Sequence, residues 1–166
     1  MHKFAVDPMA TDLADWTAED FSLFARLLRI ERPQILAHAK SLFDRQAYFR
    51  EIQHRGDLFL DPDTGVGTGR CAPTHIAPAE ISELLKVDRL LAIYQHVRAR
   101  RVADRVDAVC AAIQQWTPNT SWCSYESGTV AMIFVAPSRA RVESVQSHFG
   151  DWLGRHATGR VRASWA

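Results

Sequence analysis

The sequence predicts an α+β protein, helical toward its amino terminus and completed by a carboxyl-terminal layer of helices and strands. Three observations carry that expectation: apolar residues recur at helical spacing through much of residues 17–116, β-favouring runs take over after Trp116, and a glycine-rich stretch around Gly65 breaks the helical pattern. The chain has 166 residues, 47% of them apolar, enough to bury a core in one domain without a disulfide or metal staple. A single cooperative unit over 1–166 is expected. Its parts are a helical corner at 17–56, a Gly-rich loop at 57–78, helices at 79–116, and a sheet with its helix at 117–166.

Thr17-Ala-Glu-Asp20 reads as a helix start, because the Thr17 hydroxyl can accept an orphan backbone N–H and the two acids face the positive end of the helix dipole. Phe21, Phe24, Leu27 and Leu28 supply its apolar stripe. Pro33 suits only the first turn of a helix, so the chain turns around residues 29–32 before a second stripe of Ile35, Leu36, Ala39, Leu42 and Phe43. The pattern runs on through Tyr48, Phe49 and Ile52 to Gly56, a C-terminal cap. Residues 57–78 are the least regular. Residues 58–60 read as a short strand, and Asp61-Pro-Asp-Thr-Gly65, with Gly67 and Gly69, as an exposed loop. From Ala79 the spacing is helical again, through Ile81, Leu84 and Leu85, then Leu90, Leu91, Tyr94 and Val97, then Val102, Val106, Val109 and Ile113. An unbroken helix to Trp116 exceeds what ordinary domains contain, so breaks are expected near Val87-Asp88 and at residues 98–101.

The last fifty residues change period. Residues 121–126 read as a strand, Ser127-Gly128 as a turn, and residues 129–136 as a strand apolar on both faces, as a central position requires. Pro137-Ser138 opens a helix whose Val142, Val145, Phe149, Trp152 and Leu153 form one stripe ending at Gly154. Val161, Ala163 and Trp165 then alternate with Arg160, Arg162 and Ser164, the period of a strand with one solvated face. This helix-strand-strand-helix-strand order resembles a ferredoxin-like layer without its first strand, which would place the final strand parallel to residues 129–136.

A net charge of +1 excludes both a histone-like coat and an acidic disordered tail, but neutrality hides segregation: −4 over residues 1–20, +4 over 21–56, −4 over 57–85, +3 over 86–116 and +2 over 117–166. The three cysteines (Cys71, Cys110, Cys123) form no CxxC pair, and Met1-His2-Lys3 leads into acidic residues instead of a signal-like apolar run. The longest uncharged apolar stretch, 129–137, is half the ~18 residues that suggest a membrane span. The expectation is a cytoplasmic protein with reduced thiols and no membrane partner.

Residues 21–40, FSLFARLLRIERPQILAHAK, resemble the helix-turn-helix DNA-binding motif, with Ala25 at its small fifth position and Leu28, Ile30 and Ile35 at its apolar ones. The run departs from the motif at Arg29, where glycine is usual, and at His38, where an apolar residue is usual. The resemblance implies that Gln34, His38, Ser41 and Arg45 face a groove of duplex DNA, with Gln34 able to pair bidentately with adenine and Arg32 and Lys40 set for phosphates. Arg98, Arg100, Arg101 and Arg105 form a second cationic cluster suited to an acidic protein or a nucleic-acid backbone.

Other motifs fall short of a site. Gly65-Val-Gly-Thr-Gly69 follows two aspartates and precedes two prolines, the wrong setting for a phosphate loop, and its calcium-loop echo puts Ala72 where a glutamate ligand belongs. Cys71 and His75 are two ligands where zinc needs three or four, and nothing in the sequence orients His75 or His54 as a base for a Cys71 nucleophile. Cys110 and Cys123 fall in patterned elements as small core residues. Trp116, Trp122, Trp152 and Trp165, close together in the carboxyl-terminal part, suit either a core or a homodimer or partner contact. No metal, cofactor or catalytic residue is expected. The leading expectation is a small bacterial DNA-associated regulator acting through the 21–45 corner. The alternative is a phage- or plasmid-type protein-binding module or inhibitor of a nucleic-acid-binding partner, and the third is a small enzyme using the 57–75 loop.

Overall fold

A strand as apolar on both faces as the run Val130–Ala136 needs a neighbour on each edge and cover on each side. The computed structural model describes Phe49 and residues 56–72, 74–97 and 101–165, and within them the run has both. In chain order the elements are β1 (Leu58–Leu60), α1 (Pro78–Leu84), β2 (Leu91–His96), α2 (Val102–Trp116), β3 (Ser121–Ser127), β4 (Val130–Ala136), α3 (Arg139–Leu153), a 3₁₀ turn (Gly154–Ala157) and β5 (Val161–Ser164). The five strands form one mixed sheet in the order β1-β2-β4-β3-β5, giving the α+β class. The expected helical corner at 17–56 lies outside the described residues apart from Phe49 and Gly56.

β4 sits at the centre, antiparallel to β2 on one edge and to β3 on the other. β3 and β4 join through a two-residue turn in which Gly128 has φ +44°, the left-handed conformation that tight hairpins require. One sheet face presents Leu91, Ile93, Trp122, Ile133 and Val135, all buried. The other presents Cys123, Tyr125, Phe134 and Ala136. There α3 docks through Val142, which packs with Cys123 and Ala136, and through Phe149, stacked on Tyr125 at 5.6 Å and tilted against Phe134 at 5.4 Å. Arg162 leaves β5 on the first face and pairs there with Asp107 of α2, so α2, with α1 packed beside it, covers the side opposite α3. Val106, Val109, Cys110 and Ile113 are its buried stripe. Pro78 at the first position of α1 needs no donor, and the Glu80 carboxylate reaches back to accept from Ala77 N–H at 2.7 Å.

The expected chain order from α2 to β5 is present, and β5 does run in the direction of β4. The ferredoxin-like layout is not: β5 pairs with β3 on the outer edge, and the helices α2 and α3 occupy opposite faces, making three layers. The helix expected through Leu90, Leu91, Tyr94 and Val97 is instead β2. Those four residues fit a helical stripe, but Leu91, Ile93, Gln95 and Val97 fit a period of two equally well, and pairing with β4 and β1 decides in favour of the strand. The Gly-rich loop is also less exposed than expected, since Gly65, Val66 and Gly67 are buried. Trp152, placed in the α3 stripe, is 74% exposed because it falls past the last turn that faces the sheet.

Val161, Ala163 and Trp165 share the face covered by α3. Ala163 and Trp165 pack on the Cys123–Ala136–Val142 cluster, and the Arg139 guanidinium stands 5.2 Å from the centre of the Trp165 ring. A chain ending at Gly159 would lose that packing and bare the edge of β3. Burial of one large aromatic is worth about 3 kcal/mol or more, so this truncation is expected to be insoluble or to lose its cooperative thermal transition. An unchanged melting temperature would show that β5 contributes nothing.

Candidate functional site

β1 and β2 run parallel, so their carboxyl ends lie side by side, and in open α/β sheets ligands bind outside such ends. The segment that leaves β1 crosses this end. Its middle is pinned by a parallel bridge between Val66 and Ile76, with Gly67 N–H donating to Ile76 O at 2.9 Å and Ile76 N–H to Gly65 O at 3.2 Å. Both main-chain groups of Val66 are then satisfied by side chains from other elements. Gln95 of β2, fully buried, accepts from Val66 N–H through Oε1 at 2.8 Å and donates from Nε2 to His96 O at 2.7 Å. Arg105 of α2 donates to Val66 O and, at 2.8 Å, to the Thr68 hydroxyl.

This clamp explains the glycines. Gly65 has φ +81°, and a Cβ there would stand 2.2 Å from Gln95 Nε2. A Cβ on Gly67 would stand 2.3 Å from Cys71 Sγ and 3.5 Å from His75 Cβ. Glycine at both positions lets the backbone close onto its supports, the reason for the Gly-rich composition that a phosphate-loop reading does not supply.

Asp61, Asp63, Cys71 and His75 lie on the clamped segment, and Tyr94 and His96 flank Gln95 in β2 on the opposite sheet face. Burial raises the Asp61 carboxyl above its ordinary value; neighbouring Asp63 pushes the same way, and His96 opposes both. The Tyr94 and His96 rings meet edge to face, 4.9 Å between centres. Cys71 is exposed, its Sγ 3.5 Å from Gly69 O, and His75 accepts from Ala72 N–H through Nδ1 at 3.2 Å, which uses that nitrogen within the loop. Among the described residues no group of three or more His, Cys, Asp or Glu side chains is placed to hold a metal. At the opposite end of β1, a hollow of about 470 Å³ is lined by Gly56, Asp57, Val87, Asp88 and Arg141. Its arginine is spent on two carboxylates, Asp57 at 3.1 Å and Asp88 at 3.6 Å.

The sequence-expected site residues separate here. Arg32, Gln34, His38, Lys40, Ser41 and Arg45 lie outside the described residues, as do Arg98 and Arg100. Arg101 is exposed at the N-cap of α2. Arg105, expected in the partner-facing cluster, is turned by helical spacing toward the loop, where it holds Val66. Gln95 was not among the expected site residues, although one polar residue within the alternating Leu91, Ile93, Val97 face is a sign that something must satisfy it. Neither a protein-family model nor a curated protein matches the chain, so the functional reading rests on its own residues.

Two outcomes follow. Gly65→Ala adds both strain and a clash with Gln95 and should cost about 2 kcal/mol or more, whereas Gly67→Ala meets only the tip of an exposed side chain and should be relieved in the Gly67→Ala/Cys71→Ala double variant; denaturant titration of the four proteins measures this. Native labelling with a thiol reagent should modify Cys71 alone. Cys110 and Cys123 are buried, and burial pushes both thiols up, Cys123 to about 12, so they should label only on unfolding.

Proposed function

We propose that the chain acts by binding nucleic acid, as a small cytoplasmic DNA-associated regulator. The observation that supports this reading is the exposed Arg101, the last residue of an arginine-rich run in the sequence. Much of the arginine in the described residues is consumed internally: Arg139 pairs with Glu143, Arg141 with Asp57 and Asp88, Arg162 with Asp107 and Glu126, and Arg105 holds the loop. By contrast Arg101 stands exposed where α2 begins, and in the sequence it closes the run Arg98-Ala-Arg-Arg101. Arginine in such a cluster suits phosphate, which its planar fork can grip bidentately. The helix-turn-helix-like run at 21–45 would add the base contacts, with Gln34 reading an adenine edge and Arg32, Lys40 and Arg45 on phosphates.

A second reading, a binding module or inhibitor of a nucleic-acid-binding protein, is favoured by the outer edge of β5, which has no partner strand among the described residues. Gel retardation of a random duplex library across a salt series separates the two. DNA binding should weaken steeply as salt rises, Arg45→Ala should weaken all sequences alike, and Gln34→Ala should relax preference at one position. Undetectable or salt-independent retardation would overturn the DNA reading and favour the second. On the second reading, joint replacement of Arg98, Arg100 and Arg101 by Glu should abolish co-purification with the partner at a nearly unchanged melting temperature, and a large drop in melting temperature would show the cluster to be structural.

A further inference from the structure

β5 closes the sheet on one side, and its backbone groups fall into two sets. In an antiparallel pair alternate residues exchange both main-chain bonds with the neighbouring strand, and the residues between them turn theirs away. Glu126 N–H donates to Arg160 O at 2.7 Å, so in the β3–β5 register, with Ser124 opposite Arg162 and Trp122 opposite Ser164, the bonded set is Arg160, Arg162 and Ser164. The N–H and C=O groups of Val161 and Ala163 therefore point off the sheet, those of Trp165 continue the row, and no strand among the described residues takes them. Edges of this kind are guarded in other folds by a proline, a bulge or a charged side chain held out over the edge. β5 has none of these: its register with β3 is unbroken, and its one charged side chain, Arg162, is drawn back to Asp107 and Glu126.

We propose that this edge pairs with the same edge of a second copy of the chain, antiparallel about a two-fold axis through Ala163, so that two five-stranded sheets become one. The edge is self-complementary in that register. With Ala163 opposite its own copy, Val161 meets the second copy's Trp165 on the α3 face, and a β-branched side chain opposite an aromatic ring is a favourable cross-strand pair. On the other face Arg162 falls opposite the second copy's Ser164. Other registers are worse: an axis at Val161 or Arg162 sets arginine against arginine, and one at Ser164 leaves Val161 unpaired. The α3 face of the edge has room for the second copy, because α3 lies chiefly over β3 and β4 and leaves Val161, Ala163 and Trp165 only half-buried. This pairing is independent of the nucleic-acid reading and competes with the second reading for one edge.

Sedimentation velocity of the whole chain over a concentration series should show a reversible monomer–dimer equilibrium. Amide hydrogen exchange followed by NMR should locate it: Val161 and Ala163 gain protection as the dimer fills, while the amides of Arg162 and Ser164, already bonded to β3, change little. Ala163→Pro removes an outward N–H and none that β3 uses, so it should raise the dimer dissociation constant about tenfold. Ser164→Arg, at an exposed position, sets a like charge opposite Arg162 and should act in the same direction, whereas Ser164→Ala leaves the dimer intact. Far-ultraviolet circular dichroism and the melting temperature confirm that each variant folds. A chain that stays monomeric at every concentration overturns the pairing and leaves the edge to the protein partner of the second reading. A dimer in which Val161 and Ala163 gain no protection, or which survives both Ala163→Pro and Ser164→Arg, forms through another surface and overturns the pairing equally. None of these readouts depends on whether DNA is bound.

Discussion

The double-sided burial of β4 is the constraint on which the architecture depends. Val130–Ala136 alternates no polar face toward solvent, so a sheet with one wet side cannot hold it. Two neighbouring strands satisfy its backbone, and two layers of helix remove its side chains from water: Val106, Val109, Cys110 and Ile113 on one side, Val142, Val145 and Phe149 on the other. β5 follows from the same demand. Once α3 crosses to its own face, the chain returns on the β3 edge, and Ala163 and Trp165 extend the surface on which α3 sits.

A second constraint ties the irregular segment to this sheet. Gln95 lies on a fully buried face where an amide without partners would cost as much as a large cavity, so its two hydrogen bonds decide what may pack above it. They fix Val66, and fixing Val66 this close to β2 requires glycine at 65. Arg105 closes the other side of the same residue from α2, so one peptide of the loop is joined to the central sheet and to its covering helix. A segment with two residues of regular pairing thereby becomes part of the core.

Electrostatics ties the covering helices to the sheet. On the α2 side, Arg162 stands between Asp107 and Glu126 and over the Trp122 ring, an arrangement whose hydrogen bonds to Asp107 raise its pKa further and keep it charged. Arg141 performs a comparable task at the amino end of β1, where Asp57 also accepts from Leu90 N–H and so joins β1, β2 and α3. Among the described residues Arg70, Arg101, Arg155 and Arg160 stand exposed outside these pairs.

The helices at 78–84, 102–116 and 139–153 and the β3–β4 hairpin were legible in the sequence because each is settled by neighbours in the chain: 3.6-residue spacing from Ala79 and again from Val102, Pro137-Ser138 ahead of the third helix, a glycine turn between two β-favouring runs. Short apolar runs are a different matter. Leu90–Val97 satisfies both periods, and only pairing with β4 and β1, distant in sequence, makes it a strand. The face on which each helix lies, the edge on which β5 pairs, and the inward turn of Arg105 belong to the same class. So does the candidate site, because Gln95 and Gly65 are thirty residues apart and neither is remarkable until the other is packed against it. By itself the sequence determined composition, charge segregation and those elements whose stability is local; the tertiary structure decided which surfaces are spent on one another and which remain for a partner, because burial and hydrogen-bond satisfaction are properties of pairs that the chain brings together only on folding.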